Sequence, residues 1–195
     1  SQKNGLQLRQ YWHLEDKEHT DSQQETIETV RRLVIDAIQR QLVSDVPLCT
    51  FLSGGLDSSI ISAVAAQQYA REGKQLETVS VTYRDNAKYF QASHFQPNSD
   101  DSYIGKMNDA IGANNHLIVI DTPQLVRALF EAVEARDLPG MADVDASLLL
   151  FCREIKKIGT VALSGECADE IFGGYPWYRD QTIREQAGFP WAQSN

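Results

Sequence analysis

Cysteine, long apolar runs and basic residues are all scarce in this sequence. The three cysteines among the 195 residues are odd in number and form no C-x-x-C pair, which argues against a disulfide framework. We expect Cys49 and Cys152, which lie in apolar runs, to be reduced core residues. The longest apolar runs fall well short of the roughly 18 residues of a membrane span, and no signal peptide opens the chain. These absences predict a cytoplasmic protein that does not enter a membrane.

Acidic residues dominate the charge. Eighteen lysines and arginines stand against 27 aspartates and glutamates, which gives a net charge of −9 at pH 7. Such a chain has no basic footprint for nucleic acid, and any phosphate ligand needs local positive charge or a metal cation at its site. The length and the 42% hydrophobic content suffice for one α/β domain with a core.

The segment Ser53-Gly54-Gly55-Leu56-Asp57-Ser58-Ser59 follows a short apolar run and opens a helical pattern. Gly54 and Gly55 allow a loop with positive φ whose backbone N–H groups approach an anion. Ser58 and Ser59 are suited to cap the helix N-terminus, which favours phosphate. Asp57 would repel phosphate unless Mg²⁺ bridges the two. The alternative is a tight turn with an N-cap, but the pattern favours a nucleotide-phosphate loop.

A second segment, residues 163–175 (LSGECADEIFGGY), repeats the order of strand, serine, glycine and acid. At helical spacing Glu166, Asp169 and Glu170 would share one face. The alternative is a solvated acidic first turn of a helix. If both strands lie side by side in a parallel sheet, Asp57 and Asp169 meet across one crevice and form a metal–pyrophosphate site.

Strand and helix patterns alternate along the chain, which specifies a parallel sheet with helices on both faces and ligands at the carboxyl ends of the strands. We expect the helix from Thr122-Pro123, with Thr122 as N-cap, to bury Leu125, Val126, Leu129, Phe130 and Val133. The predicted helices are 22–43, opened by a Ser22–Glu25 capping box, 58–72, 101–111 and 147–158, the strands are 48–52, 78–83, 117–120 and 160–163, and the loops are 84–100 and 137–145.

Together the two motifs resemble the synthetase domain of the glutamine-hydrolysing asparagine synthetases, with β-lactam synthetases as close relatives. The first motif also resembles the SGGxDS loop of the ATP pyrophosphatases. The resemblance covers residues of about 20 to 180 and implies an adenine nucleotide α-hydrolase-like fold. It implies ATP-dependent amidation of aspartate to asparagine through a β-aspartyl-adenylate, with release of AMP and pyrophosphate. Ammonia would come from glutamine, and a homodimer is possible.

The resemblance also implies roles for individual residues. Glu166 is the catalytic candidate, acting on the adenylate as a general base or by orienting substrate. Asp57 and Asp169 are the candidate ligands of Mg²⁺. Cys167 stands where the family has a glycine. The residues expected to contact ATP and its pyrophosphate are Leu52, Ser53, Gly54, Gly55, Asp57, Ser58, Ser59, Val81, Ser164 and Gly165.

Two departures from the family leave the amidated acid open. Residues 140–145 are acidic where the family has an arginine that recognises aspartate, and residues 86–99 form an insert with Lys88, Tyr89 and His94. The open alternatives are an enzyme of the β-lactam synthetase type and a catalytically silent nucleotide-binding fragment. We expect residues 1–21 to be a linker from an absent glutaminase domain and 22–195 to be a synthetase domain truncated at its C-terminal end. Without a downstream lysine, the fragment should be inactive alone.

Overall fold

A computed structural model describes residues 5–91 and 99–189 of the chain. It divides into two units, residues 1–34 and 35–195. In the first unit, the described residues before 23 form no helix or strand. Helix α1 (Gln23–Gln41) begins in this unit. The capping box predicted from the sequence is confirmed, because the Ser22 N–H donates to Glu25 Oε2 at 2.9 Å and the Glu25 N–H donates to Ser22 Oγ at 3.4 Å.

The second unit contains a four-stranded sheet in which every strand pair is parallel. Its strands are β1 (Leu48–Phe51), β2 (Glu77–Tyr83), β3 (Asn114–Ile120) and β4 (Val161–Leu163). Its other helices are α2 (Leu56–Arg71), α3 (Asn86–Tyr89), α4 (Asp101–Ile111), α5 (Thr122–Arg136), α6 (Ala142–Ile155), α7 (Ala168–Phe172), α8 (Pro176–Arg179) and α9 (Gln181–Glu185).

The strand order is β3-β2-β1-β4, so the chain builds one half of the sheet outward from β1 and then returns to the other side of β1. Such a reversal opens a crevice beyond the carboxyl ends of the two strands at which it occurs. These strands are β1 and β4, and each is followed directly by one of the two small-residue motifs. The topology therefore brings together motifs that are far apart in sequence.

Helices cover both faces of the sheet, which confirms the predicted fold class. On one face the ring of Phe151 in α6 packs edge-on against Phe51 of β1, with centroids 4.9 Å apart. Ile155 belongs to the same buried cluster. On the other face α2 contacts β1 through a hydrogen bond of 2.8 Å between the buried hydroxyls of Ser62 and Thr50. None of the described helices is long and apolar enough to cross a membrane.

Several element boundaries differ from the sequence prediction. Strand β3 begins at Asn114, three residues earlier than predicted, and α6 begins at Ala142 inside the predicted loop 137–145. The predicted loop 84–100 contains α3, and its residues 92–98, with His94, lie outside the described residues. The N-cap of α5 is Asp121 and not Thr122, because Asp121 Oδ1 accepts the Gln124 N–H at 2.9 Å.

The predicted buried face of α5 is wrong in part. Leu125 and Leu129 pack against the cluster between α5 and α6, but Val126, Phe130 and Val133 are exposed, and Phe130 is 80% exposed. The buried positions are Ala128 and Ala132, whose small side chains let the two helices approach closely. Cys49 is buried as predicted, whereas Cys152 is exposed, which corrects its assignment to the core.

Candidate functional site

The loop after β1 has one glycine that its geometry requires. Gly54 has φ of +85°, and a Cβ atom there would lie 2.8 Å from Cβ of Tyr103 in α4. Any other residue would therefore be strained at this position and would also collide with α4. Gly55 has an extended backbone with φ of −71° and serves as the N-cap of α2, so the positive φ predicted for the loop occurs at Gly54.

The serines of this loop hold its shape and do not cap the helix as predicted. Helix α2 begins at Leu56, which places Ser58 and Ser59 inside its first turn. Ser58 Oγ lies 3.0 Å from Ser53 Oγ and 3.2 Å from the Gly55 carbonyl oxygen. The Ser59 N–H already donates to the Gly55 carbonyl at 3.1 Å. The N–H groups of Leu56, Asp57 and Ser58 precede the first bond of the helix, so they stay available to an anion.

The two motifs meet in the crevice. A Cβ atom on Gly165 would lie 2.8 Å from Cβ of Asp57 and 3.3 Å from the backbone nitrogen of Ser58. Only a glycine permits the loop after β4 to approach α2 this closely. Burial raises the pKa of the Asp57 carboxyl, and the negative charge of Asp169 raises that pKa further. The predicted juxtaposition of Asp57 and Asp169 is thus present.

A pair of carboxylates fits the way proteins hold Mg²⁺ beside a nucleotide. Mg²⁺ usually takes one or two protein carboxylates, and the phosphates of the substrate and water fill its other positions. Among residues 5–91 and 99–189, no group of three or more His, Cys, Asp or Glu side chains lies close enough to hold a metal by itself. The residues therefore fit a cation delivered together with phosphate, and not a closed protein site.

The acidic residues after β4 cluster around Tyr175 and not along one helix face. Helix α7 begins at Ala168, so Glu166 lies in the preceding turn, and the face predicted for Glu166, Asp169 and Glu170 does not form. Partial burial raises the pKa of the Tyr175 hydroxyl, and the charges of Glu170, Asp169 and Glu166 raise it further in that order. Glu166 itself is exposed beside the crevice, and its N–H donates to Ser164 Oγ at 3.2 Å.

A cavity of about 300 Å³ adjoins the first loop, beyond the carboxyl ends of β1 and β2. Leu52, Ser53 and Val81, which the sequence singled out, line it. No motif indicated the other lining residues, which lie at the end of β2, in and after α3, at the start of α4 and in α6. These additional residues include Thr82, Tyr83, Asn86, Phe90, Asp100, Asp101, Ile104 and Phe151.

The backbone of Val81 faces this cavity. Leu52 N–H donates to the Val79 carbonyl at 2.9 Å, so odd-numbered residues of β2 direct their backbone groups toward β1. Arg84 N–H donates to the Ile120 carbonyl at 2.8 Å, so the backbone groups of the even-numbered residues of β2 point toward β3. The β1–β2 ladder ends at Phe51 and Val79. The N–H and C=O of Val81 therefore point to the side that β1 has left, where the edge of a nucleobase could bind.

Comparison with known proteins identifies the family of this chain. The sequence profile described as asparagine synthase matches residues 29–194. The chain belongs to the asparagine synthase family. It is 58% identical over 193 residues to the glutamine-hydrolysing asparagine synthetase 3 of Bacillus subtilis. The matched region covers 98% of this chain and 31% of that protein.

More distant relatives of this asparagine synthase chain include a second Bacillus subtilis protein, glutamine-hydrolysing asparagine synthetase 1. It is 37% identical over 79% of this chain and 22% of that protein. The amidase chyE of Penicillium rubens is 30% identical over 90% of this chain and 27% of that protein. The chain thus spans less than a third of the length of these relatives. Among solved structures, NAD⁺ synthetase of Burkholderia pseudomallei matches with a TM-score of 0.42 and 14% identity, over 78% of this chain and 66% of that one.

The acidic segment 140–145 of this asparagine synthase chain is partly neutralised by its own contacts. Asp145 pairs with Arg136, whose Nη1 lies 2.5 Å from Asp145 Oδ1, and Asp145 Oδ2 accepts the Met141 N–H at 2.8 Å. The carboxylate of Asp145 therefore fixes the turn into α6. The repulsion of a dicarboxylate expected from this loop is accordingly smaller, because one of its charges is already compensated.

The cysteine in the second motif occupies a backbone conformation that suits glycine. Cys167 has φ of +70° and precedes the first residue of α7. A non-glycine residue in this left-handed region carries a cost on the order of 1–2 kcal/mol. A glycine, which the resemblance predicts at this position, would adopt the conformation without this cost, so Cys167 lowers the stability of the fold.

Proposed function

We propose that this chain binds Mg²⁺–ATP across the crevice between β1 and β4 and activates a carboxylate as an acyl-adenylate. In the larger protein, ammonia from glutamine would attack the adenylate of aspartate and give asparagine, AMP and pyrophosphate. The observation that best supports this proposal is the contact between the two loops. Gly165 packs on Asp57, and the charge of Asp169 acts on the Asp57 carboxyl.

The proposed orientation of ATP follows from the cavity at one end of the site and the start of α2 at the other. The purine would lie in the cavity beside Leu52 and against the backbone of Val81, with Gly165 beside the nucleotide. The pyrophosphate would lie on the N–H groups of Leu56, Asp57 and Ser58 at the start of α2. Ser53, Gly54, Gly55 and Ser59 would shape that cradle, in which the Gly55 N–H donates to Ser53 Oγ at 3.3 Å. Ser164, whose hydroxyl accepts the Glu166 N–H, would border the α-phosphate.

The proposed chemistry assigns each carboxylate a task. Asp57 and Asp169 would hold Mg²⁺, which neutralises charge that accumulates on the leaving pyrophosphate. The acid substrate attacks the α-phosphorus, and ammonia then attacks the acyl carbon and must lose a proton. Glu166 is exposed at the mouth of the crevice, where a carboxylate could take that proton or orient the acceptor. A cytoplasmic location and a homodimer stay predictions of the sequence.

An isotope experiment separates adenylation from other uses of ATP. The protein that carries this chain is incubated with ATP, Mg²⁺, ammonium and aspartate labelled with ¹⁸O in its side-chain carboxylate. Adenylation transfers one labelled oxygen to AMP, whereas activation as an acyl phosphate would place the label in inorganic phosphate. Glutamate serves as the control acid of the same charge. Unlabelled AMP, or label in inorganic phosphate, would contradict the proposal.

A further inference from the structure

Ser80 of β2 occupies an unusual position in the sheet, just below the proposed nucleotide site. Its side chain is buried, with 1% exposure, and its hydroxyl lies 2.6 Å from the carbonyl oxygen of Leu52. Leu52 is the last residue before the phosphate loop, and it is also buried. A carbonyl oxygen can only accept, so the Ser80 hydroxyl must donate its proton to Leu52.

This hydrogen bond replaces one that the sheet would otherwise make. The Leu52 N–H already donates to the Val79 carbonyl. In a continuing parallel ladder, the Leu52 carbonyl would accept from the backbone N–H of Val81. The ladder ends instead at Phe51 and Val79, and the Ser80 hydroxyl supplies the donor. The N–H of Val81 is thereby released toward the cavity.

A neighbouring amide fixes the direction of the hydroxyl. Asn115 of β3 directs its side-chain nitrogen to Ser80 Oγ at 3.0 Å and to Thr78 Oγ1 at 2.9 Å. The amide donates one hydrogen to each oxygen, so Ser80 accepts from Asn115 and keeps its own proton for Leu52. A relay from β3 through β2 to the end of β1 thus holds the ladder open.

We propose that Ser80 is a positioning residue that keeps the backbone N–H of Val81 free for the purine of ATP. The inference rests on the proposed function, since it assigns the ligand that takes the released donor. In Ser80→Ala the Leu52 carbonyl loses its donor and captures the Val81 N–H, which extends the ladder by one step and closes the end of the cavity. The variant changes no residue of the proposed phosphate or metal site.

Ser62→Ala is the matched control. Ser62 is also fully buried, and its hydroxyl makes one hydrogen bond of 2.8 Å to Thr50 on the same sheet, away from the loop. Both variants lose a buried serine hydroxyl. Calorimetry should show about tenfold weaker binding of Mg²⁺–ATP for Ser80→Ala, which corresponds to the upper end of the range for one lost hydrogen bond. For Ser62→Ala the binding should weaken by less than about twofold. Ser80→Thr, which retains the hydroxyl, should bind like the parent.

Amide hydrogen exchange tests the mechanism without ATP. The Val81 amide of the parent chain should exchange faster than the amide of Val79, and Ser80→Ala should protect it. A merely structural role for Ser80 predicts the reverse, because loss of a buried hydrogen bond loosens the strand. Asn115→Asp, whose carboxylate only accepts and so draws the Ser80 proton away from Leu52, should reproduce the Ser80→Ala result and provides a second route if that variant does not fold.

The two proposals fail in different ways. If the parent does not bind Mg²⁺–ATP, the proposed function is wrong, and the exchange of the Val81 amide still tests the role of Ser80. The positioning role is overturned if the Val81 amide of the parent is as protected as that of Val79. It is also overturned if Ser80→Ala binds Mg²⁺–ATP as tightly as Ser62→Ala.

Discussion

Replacing Asp57 by asparagine removes one of the two carboxylates that approach each other in the crevice. Burial and the charge of Asp169 raise the pKa of Asp57 above its ordinary value of 3.8. The folded chain therefore holds this proton to higher pH than the unfolded chain does. The resulting stabilisation is fully present below pH 3.8 and is lost as the pH rises through the folded pKa. At pH 7, without a cation, the ionised Asp57 lowers the stability of the fold.

Asp57→Asn should consequently stabilise the chain at pH 7 and at the same time weaken ligand binding. The gain in unfolding free energy should be on the order of a few tenths of a kcal/mol, as for partly exposed pairs of like charge. The loss of a charged contact should cost about 1.5–3 kcal/mol of binding, or about 10- to 150-fold in the Kd of Mg²⁺–ATP. Asp57→Asn should also lose much of the stabilisation against urea that we expect Mg²⁺–ATP to give the parent.

Urea denaturation at pH 7 with and without Mg²⁺–ATP, together with calorimetry of Mg²⁺–ATP binding, measures both effects. Asp109→Asn is the control, because Asp109 is an exposed aspartate on α4 whose loss removes the same charge. It should change neither quantity. The assignment of Asp57 as a metal-holding carboxylate is refuted if the variant binds Mg²⁺–ATP as tightly as the parent.

Four further substitutions test other parts of the site and fold. Glu166→Gln in the protein that carries this chain should retain the affinity for ATP and lose amide product, whereas near-normal turnover would remove Glu166 from the catalytic role. Cys167→Gly should raise the unfolding free energy by about 1 kcal/mol, since it relieves the left-handed conformation at φ of +70°, and urea denaturation that shows no gain would argue against strain there. Phe130→Ser should change stability by less than about 0.5 kcal/mol because the ring is 80% exposed, while Leu129→Ala should cost about 2 kcal/mol; a large loss for Phe130→Ser would mean that this side chain is covered.

The sequence predicted the crevice well because its main determinants are local. The order of strand, glycine loop and helix appears twice, and the rule for parallel sheets then brings Asp57 and Asp169 together. The capping role predicted for Ser58 and Ser59 was wrong because the start of α2 differs by two residues from the prediction. A shift of this size changes which side chain caps a helix, and composition alone does not fix it.

Tertiary contacts determine what the sequence could not give. Strand β3 begins with Asn114 and Asn115, and asparagine is unfavourable in a strand by propensity. They form one because Asn115 donates to two hydroxyls of β2. Likewise α5 has two apolar stripes, and only its close packing on α6 selects the stripe with Ala128 and Ala132. No periodicity distinguishes these stripes.

The central position of β1 in the sheet affects the order in which the strands pair during folding and when the chain can bind a nucleotide. Cys49 of β1 hydrogen-bonds through its sulfur to the carbonyl of Val161 in β4, 112 residues later. Closing so long a loop is entropically costly and slow, so we infer that β4 pairs late in folding. A nucleotide that contacts both loops binds only after this closure. The bound nucleotide should therefore slow the separation of β4 from β1. It should protect the amides of β4 from hydrogen exchange more than those of β3.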